Sequence, residues 1–265
     1  METDNNTPNN SRDPNVYAAP DASSVIEKKK KRFRFLELIV VIGIIGILIG
    51  MLLPATRRGV SPAARRVQCL NHMRQIALAM HNYESAHGHF PPAYVADENG
   101  KPMHSWRVLL LPYLEHKALY EQYNMDEPWD GPNNSKLHDE YVSIYRCPSS
   151  NGTKNCSDYL LITGDGTGFV ADKTLDLRDI SDGSSNTIML VEISDADEHW
   201  MKPQDISADQ FLIPTLEQME TNHPDVRNVA LFDGSTHSIA TDVPQEELRK
   251  LVLIADGELV DIQDL

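Results

Sequence analysis

The sequence predicts an α+β fold: a long N-terminal helix, a second helix packed on an antiparallel sheet, and short helices and long loops between them. Three observations carry that prediction. An uncharged apolar run extends from Leu38 to Leu53. An apolar stripe at three- and four-residue steps follows it, through Val67, Leu70, Met73, Ile76, Ala77, Met80 and Tyr83, which is the period of one helix face. After Cys147 the texture changes to short β-rich runs punctuated by Asp-Gly turns.

The chain divides at those features. Residues 1–32 are rich in Asn, Pro, Asp and Ser over most of their length. They offer little to bury against the entropy of ordering and read as a disordered leader. Residues 33–54 read as a transmembrane helix. The twenty-one residues from Phe33 to Leu53 reach roughly 30 Å at about 1.5 Å each, one hydrocarbon core. Lys28 to Lys31, Arg32 and Arg34 precede the run, whereas Arg57, Arg58, Arg65 and Arg66 follow it. That bias predicts a cytoplasmic leader and an extracytoplasmic domain over 55–265. A cleaved secretory signal fits less well, because the region ahead of the run is long and no Ala-x-Ala site follows it.

Within 55–265, Pro54 ends the span and Ser61-Pro62 opens the next helix, with Ser as N-cap and Pro at the first helical position. Gly88 and Pro91-Pro92 stop it. Shorter helices are expected from Ser105 through Leu111, around Ala118 to Tyr123, over 133–144, and after Pro244. Strands are expected at Tyr159–Thr163, Thr187–Ile193, Asn228–Phe232 and His237–Ala240, with turns at Asp165-Gly166, Asp182-Gly183 and Asp233-Gly234.

Composition excludes some functions. The formal net charge is −15, and the leader carries as many basic as acidic residues to within one, so the acidity belongs to the rest of the chain. An acidic domain lacks the Lys/Arg clusters that nucleic-acid phosphates require. Three cysteines make no disulfide framework. A Cys147–Cys156 bridge across a Pro/Ser/Asn/Gly-rich loop is sterically open and would be favoured outside the cytoplasm; two unpaired thiols are the alternative.

RFRFLELIVVIGIIGILIGMLLPA (32–55) resembles the N-terminus of type IV prepilins and pseudopilins, in which Phe and an acidic fifth residue open a long apolar helix. Phe33 and Glu37 match those positions. Four further stretches, 63–94, 105–134, YRCPSS (145–150) and ISDGSSNTIMLVE (180–192), are similar to a bacterial family of unknown function with prepilin-type N-termini, abundant in planctomycetes. Its C-terminal signature, His, nine residues and Asp-Gly, is matched by His223, Asp233 and Gly234. The resemblance implies a pilin-like domain and a pseudopilin-like structural or assembly role in the cell envelope, akin to type II secretion. The membrane and further pilin-like subunits would be its partners, and it implies no reaction. One departure stands out. Arg32 occupies the position where prepilin peptidase needs a small residue, and Arg34 replaces the usual Thr. The leader is therefore expected to stay uncut, which leaves Glu37 without the freed amine it would pair with in a pilin.

Asp233-Gly234 reads as a tight turn between strands, with His223-Pro224 as the loop leading into it. His81, His87 and His89 lack the spacing of a shared metal face, and no Cys-x-x-Cys pair occurs, so no transition-metal site is expected. Asp165, Asp182, Asp195, Asp197 and Glu198 lie in turn-like segments whose oxygens would suit calcium, and some pseudopilins bind calcium in a C-terminal loop. No other cofactor is implied. Ser184 and Ser185 lack a nucleophile elbow, and Gly164 to Gly168 lacks the phosphate-loop lysine and reads as a flexible surface turn. Trp106, Trp129 and Trp200 admit a second reading, an extracytoplasmic ligand-binding module on a single-pass anchor, if they line a groove rather than the core.

Overall fold

The computed structural model describes residues 35–52, 61–194, 196–212, 221–260, 262 and 265. Arg32 and Phe33, the ends of the expected span at 33–34 and 53–54, and Asp195 lie outside these residues. The chain separates into two units, 1–59 and 60–265.

In the first unit the described element is α1 (Phe35–Leu52), eighteen residues with Glu37 in the first turn. Phe35 and the large apolar side chains from Leu38 to Ile49 are 43–76% exposed. At about 1.5 Å per residue it extends roughly 27 Å, just short of a hydrocarbon core. No helix among the described residues is long and apolar enough to cross a membrane.

The second unit begins with α2 (Pro62–His87). The Ser61 hydroxyl accepts from Ala64 N at its start, and Gly88 closes it at φ 82°, with its N–H donating to the Glu84 carbonyl. The buried face runs Cys69, Met73, Ile76, Ala77, Met80 and Tyr83. Val67 is exposed and Leu70 half-buried, so the stripe starts at Cys69 rather than at the two residues the pattern suggested. Cys69 lies four residues before Met73 and seven before Ile76, and so shares their face.

The elements that follow are β1 (Tyr94–Ala96), β2 (Pro102–Ser105), α3 (Trp106–Leu110), α4 (Lys117–Tyr120), β3 (Cys156–Ser157), β4 (Tyr159–Thr163), β5 (Ile188–Glu192), β6 (Glu198–His199), β7 (Ile206–Ser207), α5 (Ala208–Phe211), β8 (Val226–Leu231), β9 (Thr236–Ala240) and α6 (Gln245–Val252). A five-stranded sheet has the order β7-β4-β5-β8-β9. β7 is parallel to β4, and the other pairs are antiparallel. Period-two alternation divides the strands between two cores. Tyr159, Leu161, Ala230 and Phe232 face the core that α2 and α3 close. Leu160, Ile162, Val229 and Leu231 face the other, closed by Phe211 of α5 and Leu248, Leu251 and Val252 of α6.

Two loop expectations are corrected. The helix expected over 133–144 is two 3-10 turns, Asn134–Leu137 and Ser143–Tyr145. The fully buried Asn134 amide explains the break: it donates to the carbonyls of Asn124, Glu127 and Pro128 and accepts from Asn124 N, organising a loop instead of a helix. The Gly164–Gly168 stretch is not a free surface turn. Thr167 and Phe169 are buried, and a Cβ on Gly168 would lie 2.4 Å from Phe232 Cζ.

Candidate functional site

Four chemically active side chains converge where α2 meets the sheet. Cys69 comes from the middle of α2, and Cys147 from the loop after the Ser143–Tyr145 turn. Glu192 ends β5, and His223 lies just ahead of β8. Their ligand atoms all fall within 4.8 Å of one another. Relative exposures are 0% for Cys69 and 3% for each of the others, so all four are buried.

Each is placed by its local fold. Cys69 follows from the helical period of α2. The Cys147 backbone N–H donates to Asp158 Oδ2 at 2.8 Å, and Ser150 Oγ donates to Asp158 Oδ1 at 2.8 Å, so Asp158 shapes the loop that presents the thiol. Arg146 Nε flanks the same carboxylate at 3.4 Å. Burial lifts the Asp158 pKa to about 6, with the Cys147 N–H, Ser150 and Arg146 opposing. Glu192 is the last residue of an otherwise apolar buried strand. His223 forms an isolated bridge to Val226, turning its ring inward.

Within the cluster, Cys147 Sγ lies 3.3 Å from His223 Nε2, which lies 3.6 Å from Glu192 Oε1. A ring of polar groups fixes the donors. Tyr159 Oη donates to Cys69 Sγ at 3.2 Å. Asn228 Nδ2 reaches Cys69 Sγ at 3.4 Å and Glu192 Oε2 at 2.7 Å, and Asn222 Nδ2 reaches Glu192 Oε1 at 3.0 Å. Ser238 Oγ donates to Asn228 Oδ1 at 2.6 Å and accepts from Arg66 Nε at 3.1 Å, which sets the Asn228 amide with its NH2 toward the cluster.

The electrostatics are asymmetric. Burial pushes the Cys69 thiol far above its ordinary value, with Cys147 and the Glu192 charge adding. Cys147 shifts downward, chiefly through the hydrogen bond from Cys69 and then, against its own burial, through that from His223. Burial disfavours the His223 cation, but the bond to Cys147 and the Glu192 charge outweigh it and raise its pKa. Chemically, such a group can share protons as a thiolate–imidazolium–carboxylate set or converge its lone pairs on one cation.

The Cys147–Cys156 bridge is not formed; all three cysteines are free and buried. Cys147 Sγ turns to His223, whereas Cys156 Sγ turns to Asp197 Oδ1 at 3.6 Å. Burial, then Asp197, pushes the Cys156 thiol up to about 11.

Other expected residues are placed separately. Asp233 and Gly234 form the β8–β9 turn: Gly234 has φ 83°, and Asp233 Oδ1 accepts from Ser235 N at 2.8 Å. The signature His is thus in the cluster, and its Asp-Gly is in a hairpin. Three of the acidic residues considered for calcium have partners within the protein. Asp182 accepts from the backbone of Asp256 and Gly257, Asp197 from Thr153, and Glu198 pairs with Lys202. Trp106 and Trp200 are core residues, and Trp129 is half-buried on His138, so the three line no common groove. His87 stacks on Tyr83, His81 packs edge-on against Phe90, and His89 bonds the Phe90 carbonyl.

Sequence reasoning missed Cys69 and Glu192 and left His223 in a loop. Only the helical phase of Cys69, in step with Met73, Ile76 and Met80, signalled that its thiol faces the sheet.

No curated protein and no solved structure matches the chain. A family model described as "Protein of unknown function (DUF1559)" matches residues 61–167, from the N-cap of α2 to just past β4; Cys69 and Cys147 lie inside the match, and Glu192 and His223 outside it. The match supports a bacterial domain-of-unknown-function family for this stretch of the chain.

Proposed function

We propose that the protein is a membrane-anchored, pilin- or pseudopilin-like structural or assembly component of the cell envelope, with its N-terminus cytoplasmic and residues 55–265 extracytoplasmic. The observation that carries this reading is α1, whose apolar side chains are exposed on every side. Water would charge roughly 25 cal/mol for each Å² of that surface, whereas lipid tails or the anchor helices of neighbouring subunits would cover it without such a cost. If the leader is cut at Phe33, Glu37 is the group whose pairing with the freed amine would register one subunit against another. The reading assigns no reaction.

The test is to purify the full chain from its native membrane, sequence its N-terminal peptide by mass spectrometry, and crosslink intact cells through cysteines placed along α1. The proposal expects extraction by detergent only and α1-to-α1 crosslinks. Recovery in the salt-washed soluble fraction would refute it. A mature start at Phe33 would show that the peptidase accepts Arg32.

A further inference from the structure

We propose that Cys69, Cys147, Glu192 and His223 form a four-ligand structural zinc site that ties α2, the Cys147 loop, β5 and the entry to β8 together. The inference is independent of membrane attachment.

The donor chemistry comes first. Two thiolates, one imidazole and one carboxylate form a set that zinc accepts in four-coordinate sites. Geometry agrees. A tetrahedral ion with bonds of about 2.3 Å to sulfur and about 2.0–2.1 Å to nitrogen and oxygen sets neighbouring donors roughly 3.3–3.8 Å apart. The Cys147–His223 and His223–Glu192 separations are 3.3 and 3.6 Å, and all four donor atoms stay within 4.8 Å of one another. The two contacts to His223 already have tetrahedral spacing, and the remaining donors would have to draw in by at most about 1 Å.

The surroundings fit a built site. Tyr159 and Asn228 donate to Cys69 Sγ, and Asn222 and Asn228 to the two Glu192 oxygens; these are the outer hydrogen bonds that orient ligands and hold their charge. On binding, both thiols release their protons to solvent. The ion and its ligands then carry one net negative charge, with Arg66 acting on His223 and Arg227 on Glu192 from nearby. Two clefts supply a path in. One of about 390 Å³ has Cys147 and His72 in its wall, and one of about 430 Å³ has His223 and Arg66 in its wall. With all four positions filled by buried protein ligands, no site is left for substrate, which marks the ion as structural.

The experiment uses the full chain in detergent, purified without chelator. The expected result is one zinc per chain by elemental analysis. Exchange to Co²⁺ should give a thiolate-to-cobalt charge-transfer band. Stripping with a strong chelator should lower the melting temperature by about 10 °C, restored by Zn²⁺ and not by Mg²⁺ or Ca²⁺. Cys147→Ser and His223→Asn should lose the zinc, whereas His223→Cys, which keeps a ligand, should retain it. If Cys147→Ser fails to fold, the cobalt band and chelator response of the unaltered chain still decide the matter. Three results would overturn the proposal: a peptide linking Cys69 to Cys147 with the mass of a disulfide, free thiols with neither zinc nor a cobalt band, or zinc that survives both His223→Asn and Cys147→Ser.

Discussion

Asp205→Ala should be among the most damaging single changes in this domain. Asp205 immediately precedes β7, and its carboxylate collects three donors from two elements, α3 and β4: Arg107 Nη2 at 2.8 Å, Trp106 Nε1 at 3.1 Å and the Leu161 backbone N–H at 2.9 Å. The Arg107 side chain is 0% and the Asp205 side chain 3% exposed, and the guanidinium also lies 4.5 Å over the Trp106 ring. Removing the carboxylate strands a buried cation and two further donors, a loss of about 3–5 kcal/mol against a total of about 5–15 kcal/mol for an average domain. At roughly 2–4 °C per kcal/mol for this size, the melting temperature should fall by roughly 6–20 °C. Asp205→Asn keeps the shape and one acceptor oxygen. Burial raises the Asp205 pKa while Arg107 opposes it, so the charged form is held against a desolvation cost. The neutral amide should therefore lose only about 1–2 kcal/mol. Near-ultraviolet circular dichroism on the full chain, with Trp106 and Trp200 as core reporters, reads both variants. The double change Arg107→Met with Asp205→Leu leaves no buried charge and should melt above Asp205→Ala. An Asp205→Ala protein melting within about 2 °C of the parent, or a double variant melting below it, would refute the argument.

Three other expectations concern separate regions. Gly168→Ala should destabilise by about 1–3 kcal/mol, because its Cβ would meet the Phe232 ring at 2.4 Å; Gly168→Ala with Phe232→Leu should recover part of that in urea unfolding. Burial lowers the His104 and His199 pKa values, so at these two sites the unfolded chain takes up protons first and their contribution to stability falls as pH drops through 6.5, at a limiting slope of about 1.4 kcal/mol per pH unit per group, whereas the raised His223 and Asp158 values act the other way. His104 has a neutral ring's bonds, to Tyr123 Oη at 2.8 Å and the Met125 carbonyl at 3.1 Å, and His104→Gln should flatten the slope between pH 5 and 7 in denaturant titrations. Cys156→Ser should leave the melting temperature within about 2 °C of the parent with or without reductant, since no bridge involves that thiol; a reductant-dependent loss confined to the parent would contradict it.

The strands of the central sheet were legible because Asp-Gly turns and β-branched runs mark them locally. β7 was not: two residues long, it is held beside β4 by the Leu161 N–H to Asp205 and the Thr163 hydroxyl to the Ile206 carbonyl, a tertiary cause. The 133–144 segment has a helix-like pattern, but one buried amide organises its backbone otherwise. The candidate site was the hardest part to see. Its members sit on four separated segments with no metal-ligand spacing, and each has a bland local reading: a thiol on an apolar helix face, a Cys beside a turn, a carboxylate at a strand end, a His before a Pro. The histidines that did look clustered, His81, His87 and His89, are occupied by Tyr83, Tyr113 and Phe90.

The distance along the chain between α2 and its partner strand also sets a schedule for synthesis. Cys69 and Asn228 touch across 159 residues. At about 5–20 residues per second, α2 is complete roughly 8–30 s before β8 leaves the ribosome. During that interval Met73, Ile76 and Met80 lack β8 to cover them, and Cys69 lacks Asn228. A twenty-six-residue helix capped at both ends is long enough to be partly formed while it waits, so the nascent chain presents the stripe as one face. A chaperone or the membrane surface has that interval in which to shield it, and oxidants have the same interval in which to reach Cys69.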